Sequence, residues 1–60
     1  MDIRINFNGD IKEFYNVDKI KQVIIKGVKY TNLTFTTNNE VYKFHTKSII
    51  SITQIRDINN

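Results

Sequence analysis

Slid by thirty residues, the chain falls on itself without a gap. Ile3 meets Leu33, Ile5 meets Phe35, Asn8 meets Asn38, Asp10 meets Glu40, Ile11 meets Val41, Phe14 meets Phe44, Ile20 meets Ile50 and Ile25 meets Ile55. Apolar residues meet apolar ones, and turn formers meet turn formers. Two copies of one supersecondary unit leave that trace, because each copy needs its apolar positions and its turns at the same intervals. The expectation is one domain over residues 1–60, built from two similar halves, residues 1–30 and 31–60.

The side chains available say that each half is made of strands. Eleven residues are Ile, Leu occurs once, and Ala, the best helix former, is absent. Branched and aromatic side chains suit a pleated surface. Residues 2–7 alternate, with Ile3, Ile5 and Phe7 on one face and Arg4 and Asn6 on the other, as in a half-buried strand. Asn8-Gly9 then signals a tight hairpin, since both residues tolerate positive φ. Residues 11–15 return, residues 16–19 read as a tight turn or one turn of 3₁₀ helix, and residues 20–25 form a third strand. After a link at residues 26–29 bent at Gly27, the scheme recurs. Residues 33–35 alternate, 37–40 turn, 41–45 return, 46–48 turn and 49–55 form the last strand. The tail from residue 56 is polar apart from Ile58 and is expected to fray.

Ile11 and Phe14 are three apart, as are Val41 and Phe44. Strict alternation spaces inward residues by two, so a bulge is expected at the same place in each copy. The fold class expected is all-β, with six short strands in two β-β-β halves, closed as a small barrel or stacked as a two-layer sheet. Its core would be Ile3, Ile5, Phe7, Phe14, Ile20, Val23, Ile25, Leu33, Phe35, Phe44, Ile50, Ile52 and Ile55.

A domain this short buries only about 60% of the surface that its unfolded chain exposes. It has no cysteine to staple it, and one histidine without thiolates cannot fill a zinc site. A homodimer is the remaining support, and two-fold symmetry is its expected form. No apolar run reaches the roughly 20 residues of a membrane helix, so a cytoplasmic location is expected. The net charge of +3 is unevenly placed: Lys19, Lys21, Lys26 and Lys29 fall in a stretch, residues 19–39, without an acid. Such a stretch can attract phosphate or an acidic protein surface, or can simply be a solvated face.

The chemistry of a catalyst is missing. His45 alternates onto the outer face with Lys43, far in sequence from any acid that could orient it. Ser48 and Ser51 lack a nucleophile's setting, and two glycines cannot supply a phosphate-cradling loop. No enzyme activity and no cofactor are expected. Binding is the alternative. Tyr15, Tyr30 and Tyr42 are candidate anchors for a protein partner, because aromatic side chains dominate interface energetics. Phe7 and the Asn38-Asn39 loop are further contacts. With Tyr30 and Tyr42, Lys21, Lys26, Lys29 and Lys43 are candidates for a nucleic-acid surface, as in small basic β-barrels. A basic pocket for a phosphorylated small molecule is a third option.

The Ile-, Asn- and Lys-rich, Ala-free composition, with Asn8-Gly9-Asp10 opening a bare β domain, resembles small proteins of phages and prophages of AT-rich bacteria. The resemblance is one of composition and spans the whole chain. It implies a stoichiometric inhibitor, of the anti-defence kind, docking on a larger host protein in the host cell. Nucleic-acid binding stands as the alternative.

Overall fold

The computed structural model describes residues 1–56. Six strands follow one another: β1 (Asp2–Phe7), β2 (Asp10–Phe14), β3 (Val17–Ile25), β4 (Val28–Phe35), β5 (Val41–His45) and β6 (Ser51–Arg56), with a 3₁₀ turn at Thr46–Ser48. They form two antiparallel three-stranded sheets, ordered β2-β1-β6 and β3-β4-β5. Each half of the chain gives two strands to one sheet and lends its third to the other. Exchanging β1 with β4, β2 with β5 and β3 with β6 turns one strand order into the other.

Two of the connections are two-residue turns, made by Asn8-Gly9 (φ 55° and 96°) and Lys26-Gly27 (φ 51° and 80°). Positive φ at both positions defines the turn whose twist matches the flanking strands. The second turn replaces the longer link expected at residues 26–29, and Lys26 takes a conformation that lysine seldom adopts.

The sheets meet at a corner after β2. Tyr15 and Asn16 carry the chain from one layer to the other, with Asn16 at φ 60°. Met1 N donates to Val17 O at 2.7 Å, and Val17 N to Met1 O at 2.8 Å. Asn16 O accepts from Thr36 N at 3.0 Å. Val17 therefore turns both main-chain groups toward Met1, while Asn16 reaches the end of β4. The Asp2 side chain, 8% exposed, accepts from Asn16 N at 3.1 Å and fixes the bend. A strand that switches sheets at such a corner is how two layers share one chain segment. No ladder joins β5 to β6 among the described residues, so the arrangement is a two-layer sheet and not a closed barrel.

The core is small. Ile3, Ile5, Val17 and Leu33 are at most 1% exposed, with Met1, Phe7, Phe14, Phe35, Phe44 and Ile49 packed around them. Rings from both layers meet above it: Phe7 and Phe44 at 5.0 Å, Phe14 and Phe44 at 5.8 Å, Phe14 and Tyr42 at 6.0 Å. The tilted and edge-on geometries are those that aromatic quadrupoles favour.

Several expectations are corrected. Val17, placed in a turn, opens β3 and is a core residue, because the Asp2–Asn16 contact makes the bend one residue earlier. Ile20, Ile25, Ile50 and Ile52 are exposed: among the described residues the facing layer stops short of Ile20 and Ile52, Ile25 pairs with Val28 on the side away from the core, and Ile50 lies in the link before β6. The ladders of β2 and β5 run unbroken through Ile11 and Val41, so the three-residue spacing is no bulge. Ile11 and Val41 face outward, 57% and 54% exposed. The register shifts lie instead at Val17/Lys19 and Asp2/Ile3. The last strand starts at Ser51, and Arg56 belongs to it; the fraying expected of residues 57–60 lies outside the described residues. No helix among those residues is long and apolar enough to cross a membrane.

Candidate functional site

Residues opposite one another in an antiparallel ladder share a face, and Leu33 fixes which face is which. Leu33 is wholly buried, so its neighbours Asn32 and Thr34 point away from the core. The ladder then sets Lys21, Asn32 and Lys43 in one row across the outer face of β3-β4-β5. The rows on either side are Lys19-Thr34-Val41 and Val23-Tyr30-His45. Tyr30 and His45 are stacked with ring centroids 4.9 Å apart, and Lys43 Nζ lies 5.4 Å from the Tyr30 centroid.

This face carries three lysines, and none of them makes an ion pair among the described residues, where Arg4–Glu13 is the one salt bridge. Asn32 Oδ1 and Thr34 Oγ1 are shut away from solvent with no hydrogen-bond partner among the described residues. Most buried polar atoms are paired, so two such oxygens side by side are a cost this face carries. Toward the β3–β4 tip the surface becomes apolar, with Ile25 43% and Val28 39% exposed beside half-buried Val23. Gly27, Val28, Lys29, His45, Thr46 and Lys47 line a solvent-open depression there.

Three of the residues singled out from the sequence converge on this face: Lys21, Tyr30 and Lys43. The other two lysines and two tyrosines go elsewhere, Phe7 packs against the core, and Asn38 and Asn39 lie in the loop between β4 and β5. Lys26 occupies the β3–β4 turn, and Lys29 pairs with Ile24 on the opposite face of the hairpin. Tyr42 faces inward, its ring 5.0 Å from Phe35 and 6.0 Å from Phe14, so it packs the rim of the core. Tyr15 stands at the corner of the other layer and donates its hydroxyl to Glu13. That bond, with the Arg4 guanidinium at 2.9 Å, holds the Glu13 carboxyl below its ordinary range, and the same bond raises the Tyr15 phenol. Asn32, Thr34 and His45 join the face without having been singled out as binders, and Lys19, noted only as part of the basic stretch, joins them. Alternation from Lys43 gives the side of His45. The adjacency of Lys19 and Lys21 to β4 depends on a turn too short to expect at Lys26.

Among the described residues no group of three or more His, Cys, Asp or Glu is placed to hold a metal ion. Comparison with protein-family models, with curated proteins and with solved structures finds no match.

Proposed function

We propose that this is a non-catalytic binding protein that docks on a larger protein through the outer face of β3-β4-β5. The observation that carries the reading is the make-up of that face. Lysines with no carboxylate partner among the described residues lie beside a Tyr–His stack and exposed Ile25, Val28 and Val41. Protein interfaces combine an apolar centre with a polar rim in this way. Uncompensated lysines favour an acidic target surface and speed encounter with it. A phosphate backbone has no use for the apolar third of the face. The compositional resemblance to small phage proteins makes a bacterial host or defence protein the first class of target to try, and blocking it the expected effect.

The test is capture from a nuclease-treated bacterial lysate by the chain tagged after residue 60, since Met1 is bonded into the corner. A discrete protein retained at moderate salt, and lost when Lys21→Glu and Lys43→Glu are combined, is the expected outcome. Recovery of nucleic acid and nothing else overturns the reading. Nucleic-acid binding is kept as the second reading because Lys19, Lys21 and Lys43 do share one face. In that case three phosphate contacts would give a log K against log salt slope of about −2 on a single strand.

A further inference from the structure

β3 is the edge of its sheet; among the described residues no strand pairs with its free side, and from residue 20 to residue 25 the one charge, Lys21, faces outward. The direction of its main-chain groups follows from the turn. Ile25 and Val28 flank a two-residue turn, so they exchange hydrogen bonds with each other. Groups alternate along a strand, so those of Val23, Lys21 and Lys19 also point to β4. The N–H and C=O of Ile20, Gln22 and Ile24 point outward, to the free edge. On the inward-facing side of the same strand Ile20 and Ile24 are 36% and 68% exposed. Proteins that avoid edge pairing set charges or bulges on such a strand. Here the bulge is confined to the first residues, and no charge faces inward from 20 to 25.

We infer that this edge pairs with the same edge of a second copy, antiparallel, about a two-fold axis through Gln22. The edge is complementary to itself in this register. With Gln22 opposite Gln22 of the partner copy, Ile20 falls opposite Ile24 and Ile24 opposite Ile20, so the exposed inward pair covers itself. On the other side Lys21 falls opposite Val23 and Lys19 opposite Ile25, which keeps lysines from facing lysines. All three outward-pointing residues then find main-chain partners. The neighbouring registers fail. A slip of one residue on each copy toward the start of β3 sets Lys21 against Lys21, and like charges directly opposite are destabilising. The slip the other way sets Ile20 against Lys26.

The pairing makes a six-stranded sheet, β5-β4-β3 continued by β3-β4-β5 of the second copy. Paired residues share a face, so the two lysine-bearing outer faces lie on the same side and merge into one surface. The inference does not depend on the binding role proposed above, and its test reads association and register alone.

The chain has no cysteine, so one introduced thiol reports one contact. Gln22→Cys places two sulfurs on a hydrogen-bonded pair whose Cα atoms are about 5.5 Å apart, within disulfide range. Lys21→Cys is the register control, about 8 Å from its own copy on a diagonal. Light scattering at high micromolar concentration should give twice the 7.1 kDa of one chain. Ile24→Lys, at an exposed position, should return the mass to one chain with the far-ultraviolet circular dichroism unchanged. Mild oxidant should link Gln22→Cys and leave Lys21→Cys unlinked. A wild-type mass of one chain overturns the inference. So does a dimer that survives Ile24→Lys, or one that links through Lys21→Cys and not Gln22→Cys.

Discussion

The two sheets share a strand plan and treat their outer faces differently. On β2-β1-β6, Arg4, Glu13 and Tyr15 bond to one another, and the charges are spent within the sheet. On β3-β4-β5, among the described residues, Lys19, Lys21 and Lys43 have no carboxylate and two side-chain oxygens have no hydrogen-bond partner. Folding needs neither arrangement more than the other, since exposed ion pairs contribute at most about 1 kcal/mol. The docking role proposed above rests on that difference. The inward faces, by contrast, correspond closely. Ile3 and Leu33, thirty residues apart, are 1% and 0% exposed, and Phe14 and Phe44 both turn into the aromatic cluster.

The strongest way to break this comparison is at the matched core pair. Leu33→Ala and Ile3→Ala should each cost about 2–5 kcal/mol, the range for a buried aliphatic truncation. A domain of this length holds only about 3–9 kcal/mol in total. Either variant should therefore be largely unfolded under mild conditions, with a urea midpoint shifted far below that of the wild type. Equal losses would show that the layers share one core. A markedly smaller loss at either site would show that layer to be the lesser support.

The two glycine turns give the next largest effect. Gly9 and Gly27 both have positive φ, and a Cβ built at either meets no atom within 4 Å, so alanine brings backbone strain alone. That strain is about 1–2 kcal/mol. Gly9→Ala should lower global stability by that amount, because β1 runs through the core. Gly27→Ala should lower it less, because the tip it closes carries exposed Ile24, Ile25 and Val28 and can open locally instead. Urea unfolding with amide exchange at residues 24–29 separates the two. A loss at Gly27→Ala equal to that at Gly9→Ala would show that the arm is tied into the core.

How far the sequence could be read divides along the same line. Elements set by neighbours in the chain were legible: the Asn8-Gly9 hairpin, the alternation of β1, the return over residues 41–45 and the turn at 46–48. Elements set by distant residues were not. Val17 is buried because Asp2, fourteen residues before Asn16, bends the chain there. Ile20 and Ile52 read as core because nothing local reports that the facing layer stops short of them, and Ile25 because the short turn at Lys26 that sets its side is not expected. The candidate face was half legible. Alternation puts Lys43 and His45 on one side, but the rows that add Lys19, Lys21, Asn32 and Thr34 come from cross-strand register.

Two threonines on opposite faces of β4 sharpen the contrast at about 1 kcal/mol each, with opposite signs. Thr31, 1% exposed, shares a hydrogen bond with the Thr46 hydroxyl at 2.8 Å. Thr31→Val should cost about 1 kcal/mol, the net worth of such a bond. Thr34 carries a buried hydroxyl without a partner. Thr34→Val removes that cost and should raise stability by up to about 1 kcal/mol. Paired urea titrations check both, and a loss at Thr34→Val would mean that its hydroxyl is satisfied in solution.

The smallest effect distinguishes the outer faces directly, through pH. Hydrogen bonds from Tyr15 and Arg4 hold the Glu13 carboxyl below its ordinary 4.5. A depressed carboxyl stabilises the fold above its unfolded value, and that contribution fades as pH falls through the lower, folded value. The Tyr15 phenol is raised above its ordinary 10.0, chiefly by its bond to Glu13. A raised group acts in the other sense: its contribution is whole below 10 and fades as pH climbs through the folded value. The stability difference between the wild type and Glu13→Gln should therefore be flat between these limits and shrink on both sides. All three groups are at the surface, so the plateau should be small and should weaken with added salt. Lys43, with no ion pair among the described residues, provides the comparison. The difference between wild type and Lys43→Met should show no step as the carboxylates titrate. A step there would place an acid against the outer face of β3-β4-β5, and the distinction between a self-paired sheet and an open one would fall.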